Sequence, residues 1–269
     1  MNTSLEQFKE YLLANSKKLN YYNAMKVFLD YCANTSRDFT KITQEDITAF
    51  FNSKNNRGQE YSINSKDMFI KAGRAFYDFL KSEKNLWKDI KFIKPETKIP
   101  DYITAEELHK AISYIKTNNS EKFGMYRVEA LLMFMFDTGV RRNELLTLKR
   151  ADVDLESGSA KVFGKGNKER FVSISDETVE ILKTYFQSEP EKENALNITL
   201  GQLKYIFEKL LTKILGRQIY PHLIRHSMGH SLINNGMTLE KLSQAMGHSR
   251  LETTMIYMKS KTSEVQEDW

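Results

Sequence analysis

Four of the chain's five histidines fall between positions 222 and 248. His222 and Arg225 stand three residues apart, so they project from one face if Pro221 opens a helix there. His226 and His230 follow His222 at four and eight residues, and imidazoles four apart on a helix are a zinc-binding spacing. Two features oppose a metal: Leu223, not a glutamate, follows His222, and Arg225 within the cluster would repel a divalent cation. His226 and His230 also fit the plain role of hydrogen-bonded core histidines, and His109, with no companions, reads as structural. A second group, Gly164-Lys165-Gly166-Asn167, has glycine around lysine but lacks the Ser or Thr and the following helix that a nucleotide phosphate loop needs. A lysine at such a turn can reach a phosphate or protonate a leaving oxygen, and it can equally be a solvated turn residue.

The elements that must carry these groups follow from periodicity. In the first hundred residues Leu5, Phe8, Tyr11 and Leu12 repeat at helical spacing, as do Met25, Phe28, Leu29 and Cys32. Thr43 with Asp46 resembles a capping box that opens a helix through Ile47, Phe50 and Phe51. A longer helix carries Phe69, Ala72, Gly73, Phe76, Phe79 and Leu80 on one stripe. Four short helices with a lysine-rich exterior predict a bundle over residues 1–93. The run Lys94-Pro-Glu-Thr-Lys-Ile-Pro100 interrupts the pattern, which places a linker at 94–103. Thr104-Ala-Glu-Glu107 then caps a helix through Ile115. An apolar helix from about Tyr126 to Phe136 closes at Thr138-Gly139, where glycine suits a left-handed cap. A short helix starts near Arg142. Ser159 to Phe163 and Arg170 to Ile174 read as two strands of a hairpin, and helices resume from Asp176. The expected architecture is mainly α with a small antiparallel hairpin: an N-terminal four-helix bundle, then an α+β domain over 104–269.

Composition narrows the class. The 269 residues are 41% hydrophobic and 12% aromatic, with 12 glycines and 4 prolines, which excludes disordered and collagen-like chains. Cys32 is the only cysteine, so no intrachain disulfide and no cysteine-rich zinc site can form. The longest apolar run, Ala130 to Phe136, is too short to cross a bilayer, and the first residues lack the pattern of a signal peptide. A cytoplasmic protein is expected. Residues 1–100 hold 17 Lys+Arg against 12 Asp+Glu, and the remainder, from totals of 40 and 35, is balanced at 23 against 23. The formal excess of +5 therefore lies in the first hundred residues. That fits a module gripping a polyanion, or a surface simply rich in lysine.

Taken in order, Thr138-Gly-Val-Arg-Arg-Asn-Glu-Leu145, Gly164-Lys-Gly-Asn-Lys-Glu-Arg170, His222-Leu-Ile-Arg225-His226, and Gly247-His248 with Tyr257 nine residues on resemble the tyrosine recombinase (phage integrase) family. They look most like its short Xer-type members. The resemblance implies a catalytic set of Arg141, Lys165, His222, Arg225, His248 and Tyr257, with Glu144 in support. His230 has no counterpart in that pattern, and Arg142 and Asn143 depart from it. The implied function is a site-specific DNA recombinase that cleaves and rejoins strands through a 3′-phosphotyrosine, either Xer-like or a small mobile-element integrase. A non-catalytic DNA-binding accessory protein on the same fold, and a relaxing topoisomerase, are the alternatives. The implied partners are double-stranded DNA, clamped between the two domains, and a homotetramer on paired sites or an assembly with a related recombinase. The short N-terminal part leaves no room for an extra arm-binding domain, and Val265 and Trp269 are the apolar residues offered for docking onto a neighbouring subunit. No cofactor, metal, membrane or small-molecule substrate is implied. The chemistry agrees: two guanidinium forks match the non-bridging oxygens of a phosphodiester, and a phenol with a pKa of about 10 needs a base such as His222.

Overall fold

Each apolar stripe of the first hundred residues forms a helix in the computed structural model of the chain, which describes residues 2–15, 19–56, 58–82, 84–91, 101–164, 169–247 and 254–257. The chain divides into two compact units, Met1–Glu96 and Thr97–Trp269. In the first unit α1 spans Asn2–Ala14, α2 Asn20–Asn34, α3 Gln44–Asn52 and α4 Ile63–Phe79. Their buried stripes, among them Leu5, Phe8 and Leu12, Met25 and Phe28, Ile47 and Phe50, and Phe69 and Phe76, make one core. The cap on α3 is reciprocal. Thr43 Oγ1 accepts from the Asp46 amide at 3.2 Å, and Asp46 Oδ2 accepts from the Thr43 amide at 2.9 Å. Sequence periodicity did not indicate the 3-10 turn Leu86–Lys88, which buries Trp87 completely. The indole lies flat on Gly73, where any side chain would collide with it, so this glycine keeps α4 open for the ring.

The second unit begins with three helices, α5 at Ala105–Phe123, α6 at Met125–Thr138 and α7 at Arg142–Thr147. Residues 101–103, expected in the linker, pack into this unit: Ile103 is buried and its amide donates to Ser227 Oγ at 2.7 Å. The linker residues 94–100 lie outside the described residues. Gly139 closes α6 at φ +55°, the left-handed value that lets the chain reverse into α7. The expected hairpin is a three-stranded antiparallel sheet, β1 Val153–Asp154, β2 Ser159–Phe163 and β3 Glu169–Ser173, in the order β1-β2-β3. Its register pairs Ala160 with Val172 and Val162 with Arg170. Ala160, Val162 and Val172 face the core, so Arg170 shares their face while Phe171 points to solvent.

Helices complete the unit: α8 at Asp176–Ser188, α9 at Leu200–Tyr205 running through a π-helical stretch, Ile206–Leu211, into α10 at Thr212–Leu215, then α11 at Pro221–Asn234 and α12 at Leu239–Met246. Pro221 occupies the first turn of α11, where its missing N–H leaves nothing unsatisfied. A main core joins α5, α6, α8 and the sheet. A satellite of Met228, Ile233, Leu242, Met246 and Tyr257 holds α11, α12 and residue 257 together. Among the described residues, no helix is long and apolar enough to cross a membrane.

Candidate active site

Arg141 sits where the turn after Gly139 enters α7, and one carboxylate fixes it twice. Glu144 Oε2 accepts from the Arg141 amide at 2.8 Å, and Glu144 Oε1 accepts from Arg141 Nη1 at 2.8 Å. This is the back-reaching half of a capping box at N3, available because Arg141 is the residue before the helix. The other arm of the same guanidinium, Nη2, donates to the Gly247 carbonyl at 2.7 Å. Glu144 is buried at 4% exposure, and burial alone would raise its pKa. The hydrogen bonds from Arg170 and Arg141 outweigh that and hold the carboxyl below its ordinary value.

Arg170 is a member of the site that the sequence reading did not single out. From the buried face of β3 its two terminal nitrogens fork onto Glu144, at 2.8 Å to Oε1 and 3.0 Å to Oε2. Its Nε donates to the Ala245 carbonyl at 3.4 Å.

One turn inside α11, Arg225 is buried and donates to the carbonyls of Gly139 and Met246, which ties the α6–α7 turn to the end of α12. Burial, with the charges of Arg141 and Arg170, pushes Arg225 down to about 10, against the smaller opposing pull of Glu144 and Tyr257. Three guanidinium groups and one carboxylate thus lie close together, leaving two positive charges uncompensated (three minus one).

An open cleft of about 730 Å³ is lined by Arg141, Arg142, Glu144, Phe163, Gly164 and His222, among others. The His222 pKa is lowered by loss of solvent and then by Arg225, Arg141 and Arg142, so the ring is neutral at pH 7. Tyr257 packs farther along the same face of α11, against His226 and Gly229. It is 2% exposed and packs on Gly229, where an added Cβ would come within 2.7 Å of the ring. Its hydroxyl meets His226 Nδ1 at 2.8 Å. Among the described residues, the histidine that meets the Tyr257 hydroxyl is His226, a contact the four-residue histidine spacing did not reveal. Burial raises the Tyr257 phenol to about 12 and, ahead of the charges of His222 and Arg225, lowers His226. The contact fits a protonated tyrosine donating to an uncharged Nδ1.

The structure brings Arg141, Glu144, His222, Arg225 and Tyr257 together around the start of α7 and one end of α11. Lys165 and His248 lie outside the described residues; their neighbours Gly164 and Gly247 line the cleft and accept from Arg141, respectively. His230 stacks on Tyr102, ring centroids 3.8 Å apart, as part of the packing of residues 101–103. Among the described residues, no three His, Cys, Asp or Glu side chains converge as a metal cluster would.

The pattern of the Phage integrase family matches residues 101–264. The chain is 31% identical to the tyrosine recombinase XerD of Staphylococcus saprophyticus, over 76% of this chain and 75% of that protein. It is 29% identical to the XerD of Staphylococcus epidermidis over 99% of this chain and 97% of that one. Its fold superposes with a TM-score of 0.74 on the XerH site-specific recombinase, solved in a post-cleavage complex with a palindromic difH substrate, at 22% identity over 93% of this chain and 78% of that one. The chain belongs to the phage integrase family, among the Xer-type tyrosine recombinases.

Proposed function

We propose that the chain is a site-specific DNA recombinase whose nucleophile is Tyr257. The observation that carries this reading is the fixing of two guanidinium forks, Arg141 and Arg225, by carbonyls and a buried carboxylate beside His222 and the cleft. Held before the substrate arrives, such donors lose nothing to reorganisation when charge develops on the phosphate. Arg141 and Arg225 take the two non-bridging oxygens of a DNA phosphodiester. Tyr257 Oη attacks the phosphorus, the bond to the 5′ oxygen breaks, and a 3′-phosphotyrosine and a 5′-hydroxyl result. The phenol proton passes to neutral His222 and the leaving oxygen takes a proton from Lys165, with His248 hydrogen-bonding the phosphate. Attack by the 5′-hydroxyl of another strand reverses the step and reseals the backbone. The phosphodiester energy stays in the tyrosyl ester, so this sequence of steps requires no nucleotide cofactor.

In the docked arrangement a phenol near 12 beside an imidazole kept below its ordinary pKa retains its proton at neutral pH. We read it as the resting form, which Tyr257 leaves for the phosphate. The basic first unit is the DNA-gripping module, and residues 104–269 of the second unit are the catalytic domain. The active assembly is a tetramer on two paired sites in the cytoplasm, with 265 and 269, outside the described residues, as its docking contacts.

The test is a nicked suicide duplex made from genomic fragments, incubated without metal or ATP and resolved on a denaturing gel. A covalent band mapping to Tyr257 is expected, together with its loss in Tyr257→Phe while DNA affinity stays within about threefold, since only one hydroxyl is removed. A persistent adduct in that variant would overturn the assignment of the nucleophile.

A further inference from the structure

We propose that Arg170 is a positioning residue for strand cleavage, because it braces both of the groups that hold Arg141. Arg141 has two anchors, the Glu144 carboxylate and the Gly247 carbonyl. Arg170 forks onto both oxygens of that same carboxylate. It also donates to Ala245, two residues before Gly247, and its Cδ lies 3.0 Å from where a Gly247 side chain would begin. One side chain from β3 thus joins the start of α7 to the end of α12.

The charge arithmetic gives this brace its purpose. If Glu144 were paired with Arg141 alone, the ion pair would cancel the charge that a phosphate needs to find. With Arg170 neutralising the carboxylate in bidentate contact, the trio keeps one net positive charge, and Arg141 keeps its fixed geometry. A buried carboxylate with only one guanidinium partner would also be left with unfilled lone pairs, which is costly away from water. Arg170 itself touches no substrate in this scheme; it acts through Arg141.

This inference rests on the functional reading above, and the experiment separates the two. Full-length protein is assayed under single-turnover conditions on the nicked duplex whose site is recovered from the wild-type adduct. Arg170→Met is expected to slow adduct formation by about 100-fold, the scale of losing one preorganised oxyanion donor. Arg170→Lys, which keeps the charge but not the fork, is expected to slow it by about tenfold. DNA affinity stays within about threefold for both, because no phosphate contact is removed. The diagnostic substrate carries a methylphosphonate at the scissile position, which lacks the charge that Arg141 neutralises. On it the deficit of both variants shrinks to less than about fivefold. Melting temperatures are recorded alongside, and if Arg170→Met fails to fold, Arg170→Lys carries the comparison. A wild-type rate in the variants, or the same deficit on both substrates, overturns the positioning role and leaves the functional reading standing. No adduct from the unsubstituted protein on any fragment overturns both.

Discussion

Histidines 222 and 226 share one physical situation with opposite neighbours: one faces the arginine-lined cleft, the other the buried Tyr257 hydroxyl. Loss of solvent, followed by nearby positive charge at His222 and by His222 and Arg225 at His226, holds both below the ordinary imidazole value of about 6.5. The unfolded chain therefore binds protons more readily than the folded one as pH drops through that range, and stability falls with it. The carboxylates Glu144, Glu107 and Asp46 are also held low, but they release their contribution only in the acid range below about 4.5. Thermal melts should thus show a decline between pH 7.5 and 5.5 that belongs to the histidines, and His226→Gln should flatten it. An unchanged pH slope in that variant would mean that His226 is not the group being titrated. The same two residues mark what sequence can and cannot disclose. His222 is legible because Pro221 and Arg225 lie within one turn of it. The partner of His226 is 31 residues away and was invisible to any local pattern.

Elements whose ends are set within one turn of chain are legible in the sequence. The Thr43–Asp46 box, the Thr104–Glu107 box, the Gly139 cap and the Pro221 start all involve partners at most three residues apart or a single backbone angle. Two-residue β1 carries too little periodicity to register, and the π-helical Ile206–Leu211 keeps an apolar pattern that resembles ordinary helix. Strand β3 follows its alternation, with Val172 and, just past its end, Ile174 buried and Phe171 69% exposed, but nothing local explains why Arg170 shares the inner face; its partner there, Glu144, is 26 residues back. Helix α11 has its own internal demand at Gly229, a helix-interior glycine that leaves room for the Tyr257 ring. Alanine there would gain about 1 kcal/mol of helix propensity and meet an overpacking cost of about 1–3 kcal/mol. Gly229→Ala should therefore lower the melting temperature or leave it flat, where an ordinary helical glycine would raise it. Tyr257→Phe keeps the colliding ring carbons and should not relieve the strain, whereas Tyr257→Val should. Additive effects in that second pair would show that the glycine is not there for the tyrosine.

At the scale of the whole molecule, formal charge is unevenly divided along the chain. The first hundred residues hold 17 basic against 12 acidic side chains, while the remainder is balanced at 23 against 23. Each unit has its own hydrophobic core, one ending at Trp87 and the other beginning at Ile103, so each has the material to fold alone. The second unit gathers three guanidinium groups, Arg141, Arg170 and Arg225, near Glu144. If the first unit supplies the phosphate grip, affinity for duplex DNA should fall steeply with salt in the full chain, by about 0.9 logarithmic units per tenfold salt for each phosphate neutralised. A chain starting at Thr97 should bind more weakly and lose several such units of slope, yet still form the Tyr257 adduct when DNA is supplied in excess. Titrations of both proteins between low and physiological salt, paired with the suicide-duplex gel, separate grip from chemistry. Equal salt slopes would place the phosphate contacts in the second unit and leave the basic surface of the first without that role. A shallower slope with the adduct retained would assign affinity to one unit and bond breakage to the other.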